Sequence, residues 1–232
     1  MIKNYFKVAW RNLIKNKGVS FINIGGLAVG MAIAMLIGLW LRDELNFNKH
    51  HKNYDKIARV VMCATDPQTH ATKENHGLWL PVEDILRNNY GRYFEYVSSY
   101  WYTAPWTLKI GNGNFTKTGN FMGGEILDML SVEMLQGSKT SLSDPHSMVI
   151  SESAAQALFG NENPINKAVK INNRMDAVIT GVYKNLPKNS EYGDLEFIAP
   201  FELWKISNDW VKYGGWNTPG YNFLVQLAPN VS

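Results

Sequence analysis

The sequence has 232 residues, 45% of them hydrophobic, which is enough for an ordinary buried core in one or two domains. Its net charge of +3 is unevenly placed. Residues 1–17 hold five basic and no acidic side chains, whereas the rest of the chain holds 18 basic against 20 acidic groups. A nucleic-acid-binding protein carries its basic surface on the folded part. The distribution therefore excludes nucleic acid as a partner and favours a membrane. The single cysteine, Cys63, excludes an intrachain disulfide.

Residues 1–17 are predicted to form a cytoplasmic amphipathic helix that lies in the membrane interface. Apolar residues recur at helical spacing on one side, and basic residues fill the other, where anionic headgroups would attract them. A short surface helix packed on protein shows the same pattern, and the two interpretations are compatible. The residues predicted to contact the interface are Lys3, Lys7, Trp10, Arg11, Lys15 and Lys17.

Residues 18–41 contain no ionisable side chain and are predicted to form a transmembrane helix. At 1.5 Å per residue the segment spans roughly 36 Å, which exceeds the bilayer core of about 30 Å. The basic cluster lies immediately before the span, so the positive-inside rule places the N-terminus in the cytoplasm. A cleaved signal peptide is disfavoured, because the small-x-small site at Ala32-Ile33-Ala34 lies in the middle of the apolar run.

A stripe of small residues runs along this predicted span. The four residues are spaced four apart and therefore share one helix face, where small side chains let two helices approach closely in lipid. Transmembrane helices also tolerate glycine generally. Because all four are in register, we interpret the stripe as a helix-packing ridge formed by Gly26, Gly30, Ala34 and Gly38.

Residues 42–232 show the pattern of a mixed α+β domain on the extracytoplasmic side. Strands are expected over 56–64 and 96–102 because these runs are rich in β-branched and aromatic residues. Cys63 lies in the first run and is predicted to be a buried small hydrophobe. Gly111-Asn112-Gly113 separates two strand-like runs and predicts a hairpin. The other expected elements are a helix over 78–90, hairpin strands over 107–110 and 114–121, and a short helix or two turns over 125–135.

Residues 147–183 give the sharpest local prediction. A strand over 148–150 is followed by Ser151, a natural N-cap, and by a helix that stops at Gly160. Strands over 168–171 and 176–182 flank Asn172-Asn173, which fits a type I′ turn. Glu152 has the chemistry of a catalytic acid, but its place at the positive end of the helix favours a capping role.

No catalytic, cofactor-binding or metal-binding motif is evident. The P-loop spacing is missing, so ATP hydrolysis by this chain is not expected. The adjacent His50 and His51 would point their rings in different directions on a helix or strand, and neither H-E-x-x-H nor G-x-S-x-G occurs. An aromatic groove for an apolar or lipid-like substrate is conceivable, although core packing explains most of the tryptophans concerned, namely Trp79, Trp101, Trp106, Trp204, Trp210 and Trp216.

Two blocks of sequence resemble FtsX-like permeases of ABC transporters, and most closely the MacB-like group with a large periplasmic domain. The first comprises residues 4–17, the Phe21–Gly30 run and Asp43-Glu44-Leu45. The second comprises Ser151-Glu152-Ser153, Leu158-Phe159-Gly160, Asn163-Pro164-Ile165, Thr180-Gly181-Val182 and Leu186-Pro187. The similarity extends from residue 2 to about residue 204, and it is weaker over 68–78 and 208–220.

The resemblance implies a noncatalytic permease subunit in the bacterial inner membrane, with residues 42–232 forming a partial MacB-like periplasmic core domain. It implies a mixed βαβ lobe with a mostly β inserted lobe. Because such permeases continue into further transmembrane helices, we interpret the chain as an N-terminal fragment. The implied partners are a cytoplasmic ABC ATPase, other transmembrane helices or a second permease copy, the lipid membrane, and a periplasmic or outer-membrane protein. Two alternatives stay open: a single-pass membrane-anchored binding or adaptor module, and a membrane-anchored hydrolase.

Overall fold

A computed structural model describes residues 2–231 of the chain. They fall into two compact units, the first ending at Phe47 and the second beginning at Asn48. The first unit consists of two helices, α1 (Ile2–Lys15) and α2 (Lys17–Leu45). The backbone breaks between them at Asn16, which has φ −110° and ψ 56°. Lys17 therefore belongs to the long apolar helix and not to the amphipathic one.

The second unit is mixed α and β, which confirms the predicted fold class. Its strands are β1 (Ile57–Arg59), β2 (Met62–Thr65), β3 (Thr72–Asn75), β4 (Leu78–Trp79), β5 (Phe94–Tyr100), β6 (Ala104–Ile110), β7 (Gly113–Met122), β8 (Met134–Gln136), β9 (Ser147–Ser151), β10 (Ala168–Ile171), β11 (Met175–Tyr183), β12 (Phe197–Pro200) and β13 (Pro219–Leu227). Its helices are α3 (Val82–Asn89), α4 (Ile126–Met129), α5 (Glu152–Phe159), α6 (Phe201–Ser207) and α7 (Asp209–Gly214).

Six of these strands form a closed ring in the order β6-β7-β12-β9-β11-β10, because β6 pairs with both β7 and β10. The β7–β12 and β9–β11 pairs are parallel, and the other four are antiparallel. From β7 the sheet extends outward through β5 and β13 to β1 at its edge. Strands β2 and β3 form a separate two-stranded ribbon.

The period-two alternation along these strands divides the apolar side chains between two cores. In β9, Met148 and Ile150 enter one core, whereas Val149 enters the other. In β12, Phe197 enters the first core and Ile198 the second. Successive residues of a strand point to opposite faces, so both faces of β9 and β12 are buried, whereas β11 exposes Asp176 and Val178 on one face. The first core is capped by residues of α6 and α7, and the second packs against α4.

The predicted local motifs are present. The Ser151 hydroxyl accepts a hydrogen bond from the Ala154 amide at 3.2 Å, which confirms it as the N-cap of α5. Gly160 ends that helix at φ 59°, a backbone conformation that favours glycine. Asn172 and Asn173 have φ of 48° and 56°, as a type I′ turn requires. The hairpin about Gly111-Asn112-Gly113 is formed by β6 and β7.

Three of the predicted elements and the predicted burial of Cys63 need correction. The strand expected over 56–64 is interrupted after Arg59, and its second half belongs to the exposed β2–β3 ribbon. Cys63 is consequently exposed and not buried. The helix expected over 78–90 begins only at Val82, because Leu78 and Trp79 pair with β13. The short helix or two turns expected over 125–135 are shorter than expected: α4 ends at Met129, and the chain then turns through Ser131 at φ 50° into β8.

Candidate membrane anchor and coupling segment

Helix α2 has the length and composition of a membrane-spanning helix, and within residues 2–231 it is the one helix with these properties. None of its side chains is buried in the structure. Large apolar side chains such as Phe21, Leu36 and Trp40 are more than 60% exposed, which a helix surrounded by water would not sustain. The structure therefore presents the surface that a bilayer would cover.

The predicted interface residues lie on α1 and at the start of α2. Lys7, Arg11 and Lys15 are exposed, and Trp10 is 66% exposed. The side chain of Lys3 lies outside the described residues. Because no membrane is present, contact of these residues with headgroups stays a prediction.

The small-residue ridge is open along its length. A methyl group added at Gly26, Gly30 or Gly38 would meet no atom within 4 Å, and Ala34 is exposed on the same face. Residues 2–231 therefore leave the ridge uncovered, and helix packing along it stays a prediction.

The chain enters the second unit through residues 48–56, which we call the coupling segment because they join α2 to the sheet. Asn48 is held twice by the 189–191 loop: its backbone amide donates to Asn189 O at 3.0 Å, and its Oδ1 accepts from the Glu191 amide at 2.9 Å. Asn48 adopts φ 60°, a conformation that asparagine tolerates better than most residues. The first residue of the domain is therefore fixed to a loop 141 to 143 positions later in the chain.

A second attachment lies at the turn after α4. The Lys52 amide donates to Ser131 Oγ at 3.0 Å, and His51 Nδ1 lies 2.7 Å from Leu130 O. A carbonyl oxygen can only accept, so Nδ1 of His51 carries the proton and Nε2 keeps its lone pair. The coupling segment is thus attached to two separate parts of the domain.

The two histidines of this segment lie against each other, contrary to the expectation for regular structure. Their ring centroids are 3.7 Å apart, because residues 46–56 form successive turns and neither a helix nor a strand. His51 is 4% exposed. Burial lowers the pKa of His50 to about 4, with a further contribution from His51, and burial also lowers the pKa of His51. The pair is therefore neutral at pH 7.

The loop that holds Asn48 is itself anchored in the second core. The Tyr183 hydroxyl donates to Leu195 O at 2.8 Å, and Tyr192 packs edge-on against Tyr100 with ring centroids 6.5 Å apart. Glu191 forms an ion pair with Arg59 of β1. Burial raises the pKa of Tyr100 to about 12, so this hydroxyl stays protonated. The loop is a firm attachment point for the coupling segment.

The tryptophans singled out in the sequence divide between core packing and partial exposure. Trp106 and Trp204 are buried, and Trp101 stacks on Trp204 with centroids 4.9 Å apart, so these rings fill the first core. Trp210 and Trp216 are about half exposed. Glu152 lies in the first turn of α5, as its capping interpretation requires. Residues 2–231 bring together no group of three His, Cys, Asp or Glu side chains suited to a metal ion.

Sequence reasoning missed the coupling segment. Asn48, Ser131 and Glu191 are ordinary polar residues, and no local pattern marks them as partners. The local signal is the adjacent pair His50-His51, which was considered above only as a metal site.

Comparison with known proteins identifies the family. The profile of the MacB-like periplasmic core domain matches residues 20–232. Among solved structures, a domain of a proposed permease from Porphyromonas gingivalis aligns with a TM-score of 0.61 at 18% identity, covering 78% of this chain and 77% of that one. The periplasmic region of MacB from Actinobacillus actinomycetemcomitans aligns with a TM-score of 0.55 at 19% identity, covering 76% and 77%.

A third solved structure shares the fold. The extracellular domain of the noncanonic ABC-type transporter YknZ from Gram-positive bacteria aligns with a TM-score of 0.52 at 20% identity, covering 75% of this chain and 84% of that one. A search of curated proteins gives no significant match. At these identities the structures establish the fold, and the profile match over most of the chain establishes the family. The chain belongs to the MacB-like periplasmic core domain family of ABC transporter permeases.

Proposed function

We propose that this chain is the membrane-anchored, noncatalytic part of an ABC transporter permease. A separate cytoplasmic ATPase would hydrolyse ATP, and α2 would transmit the resulting motion to the second unit. The proposal locates α1 at the cytoplasmic face of the inner membrane and residues 42–232 in the periplasm. The moved substrate would be a peptide, lipoprotein or lipid that does not cross the bilayer through this chain.

The main support for the proposal is that the coupling segment is hydrogen-bonded to the domain at two separate places. Asn48 is fixed to the 189–191 loop, and His51 and Lys52 are fixed to the turn at Leu130 and Ser131. Hydrogen bonds at two separated points transmit a displacement of the segment to the domain, whereas a flexible linker would absorb it. A simple tether for a binding module does not need such attachments.

Partners follow from the same proposal. MacB-like permeases work with ABC ATPase subunits, and the open Gly26–Gly38 ridge provides a face for other transmembrane helices or a second permease copy. A periplasmic or outer-membrane protein would complete the assembly. YknZ, whose extracellular domain shares this fold, is an ABC-type transporter, which supports this assignment.

The test uses the intact transporter purified from its native membrane in mild detergent through a tag on this chain. We expect ATP hydrolysis in the purified complex, and we expect ATP to change the fluorescence of a dye attached to Cys63, which is exposed on the β2–β3 ribbon. Asn48→Ala removes the acceptor of the Glu191 amide and should reduce the dye response while ATP hydrolysis continues. The control is Asn161→Ala, a change at an exposed asparagine outside the coupling segment.

Two results would contradict the proposal. If the chain purifies without an ATPase under conditions that preserve membrane complexes, an adaptor module becomes the better assignment. If Asn48→Ala leaves the dye response unchanged, the coupling segment does not transmit the motion.

A further inference from the structure

The outer edge of β1 has unpaired backbone groups. Among residues 2–231, β1 is the last strand of the sheet on that side and pairs with β13 alone. Two flanking hydrogen bonds show which residues of β1 face β13. The Val60 amide donates to Phe223 O at 3.0 Å, and the Leu227 amide donates to Lys56 O at 2.9 Å. In an antiparallel pair, alternate residues direct both backbone groups toward the partner strand. The backbone groups of Ile57 and Arg59 therefore point away from β13.

Most of these outward groups lack a partner. The Ile57 amide donates to Asn53 O at 3.1 Å. The Ile57 carbonyl and both backbone groups of Arg59 have no backbone partner among residues 2–231. One unpaired amide and two unpaired carbonyls on an edge strand form a template for another strand.

A cleft of about 380 Å³ lies beside this edge. The alternate residues Ile57, Arg59 and Val61 line it, as expected for side chains on one face of a strand. Leu130 and Leu224 make the lining largely apolar. The cleft is large enough for one bulky apolar side chain.

Polar groups also line the cleft. Tyr192 is 4% exposed, and its hydroxyl interacts with the Arg59 guanidinium at the rim. His51, whose Nε2 keeps a lone pair, lines the cleft as well.

We propose that an extended segment of a partner polypeptide adds to the free edge of β1 and places an apolar side chain in the adjoining cleft. The unpaired amide and carbonyls of this edge match the backbone of an added strand, whereas a lipid chain has no groups that could pair with them. The ion pair of Arg59 and Glu191 at the rim offers both signs of charge to the flanking residues of the segment. This inference does not depend on ATP-driven coupling. It does mean that the bound segment touches the coupling segment, because Asn48, His51 and Tyr54 form one wall of the cleft.

The experiment measures peptide binding to the full chain in detergent micelles by fluorescence anisotropy. The probes are three fluorescein-labelled peptides of alternating threonine and valine with a central leucine, phenylalanine or valine. A matched set carries N-methyl groups on alternate backbone amides, which removes their ability to donate. We expect saturable binding of at least one unmodified peptide and loss of binding on N-methylation.

Two substitutions at one position separate the backbone from the side chain. Arg59→Ala and Arg59→Pro both lose the ion pair with Glu191, but only proline removes the amide at the free edge. Arg59→Pro should weaken binding about tenfold or more relative to Arg59→Ala, because one buried hydrogen bond is lost. If Arg59→Pro does not fold, Val61→Trp serves instead, since it fills the cleft without changing the backbone edge and should also abolish binding.

Three results would overturn the proposal. Equal binding of the N-methylated peptides would show apolar contact without strand addition. Absence of saturable binding by all three peptides would show that the edge does not accept a strand. Self-association of the chain that Val61→Trp abolishes, without peptide binding, would assign the edge to a second copy.

Discussion

The Nδ1 atom of His51 lies 2.7 Å from the carbonyl oxygen of Leu130, so the proton on this buried nitrogen attaches the coupling segment to the turn after α4. The other face of the imidazole is covered by His50, whose ring nitrogens are buried and without partners among the described residues. A second proton on either ring would place a positive charge where burial disfavours it.

Stability should therefore fall in mild acid. The pKa of His50 is lowered by burial to about 4 in the folded state, against about 6.5 in the unfolded chain. Between these values the unfolded state binds more protons, so the free energy of unfolding decreases as the pH falls from 6.5 toward 4 and is fully restored above 6.5. Urea denaturation of the full chain in detergent at several pH values measures this slope.

Two substitutions test the origin of that slope. His50→Gln should flatten it, whereas His76→Gln, at an exposed histidine, should leave it unchanged. An equally steep slope in the His50 variant would mean that other groups cause the acid sensitivity.

The membrane orientation can be tested with the native cysteine. Because Cys63 is exposed, a membrane-impermeant maleimide should label it in cells with a permeabilised outer membrane and an intact inner membrane. Replacing Lys3, Lys7, Arg11, Lys15 and Lys17 by glutamine should reduce this labelling, since the positive-inside signal is lost. Labelling of the unmodified protein only after the inner membrane is opened would reverse the proposed topology.

Two substitutions on opposite faces of α2 test whether the small-residue ridge packs against other helices. Gly30→Leu places a bulky side chain on the ridge and should disrupt assembly with other membrane helices. Ala32→Leu makes a similar change on the far face of α2 and should be tolerated. Cross-linking in native membranes measures assembly, and circular dichroism checks that the second unit stays folded. If the Gly30→Leu protein assembles normally, the ridge is not part of a helix–helix interface.

Gly119 in β7 should not tolerate a side chain. It lies opposite Phe197 of β12 in the parallel register, and an added methyl group would overlap the phenyl ring. Gly119→Ala should lower the free energy of unfolding by about 1–3 kcal/mol, as overpacking does. Gly124→Ala is the control, because its nearest contact would be an ordinary 3.7 Å from Leu142 O. Phe197→Leu should partly rescue Gly119→Ala, and failure to do so would place the strain elsewhere.

The predictions that succeeded depend on neighbouring residues. Ser151 lies three residues before the amide that it caps, and Asn172 and Asn173 set their own turn. Hairpins and capped helices of this kind follow from local backbone preferences. The family resemblance likewise rested on short blocks that the profile match bears out over residues 20–232.

The features that could not be predicted depend on contacts between distant residues. The ring closes where Lys109 of β6 lies opposite Lys170 of β10, and nothing in either strand specifies that neighbour. Cys63 was expected to be buried because its run is apolar, yet β2 pairs only with β3 and leaves the side chain in solvent. The coupling segment depends on the approach of Asn48 to the 189–191 loop, which only the complete topology brings about.

The pairing of β1 with β13 also determines how the domain would respond to tension. The chain enters β1 at the same end of the sheet at which it leaves β13, since the Leu227 amide donates to Lys56 O. A pull that separates these two ends would break the interstrand bonds one after another, and strands opened in this way offer little resistance. The bonds of Asn48, His51 and Lys52 come earlier along the chain and would take up the load first. They would pass the load to the 189–191 loop and to the turn after α4, so that the pairing of β1 with β13 stays intact while α2 moves.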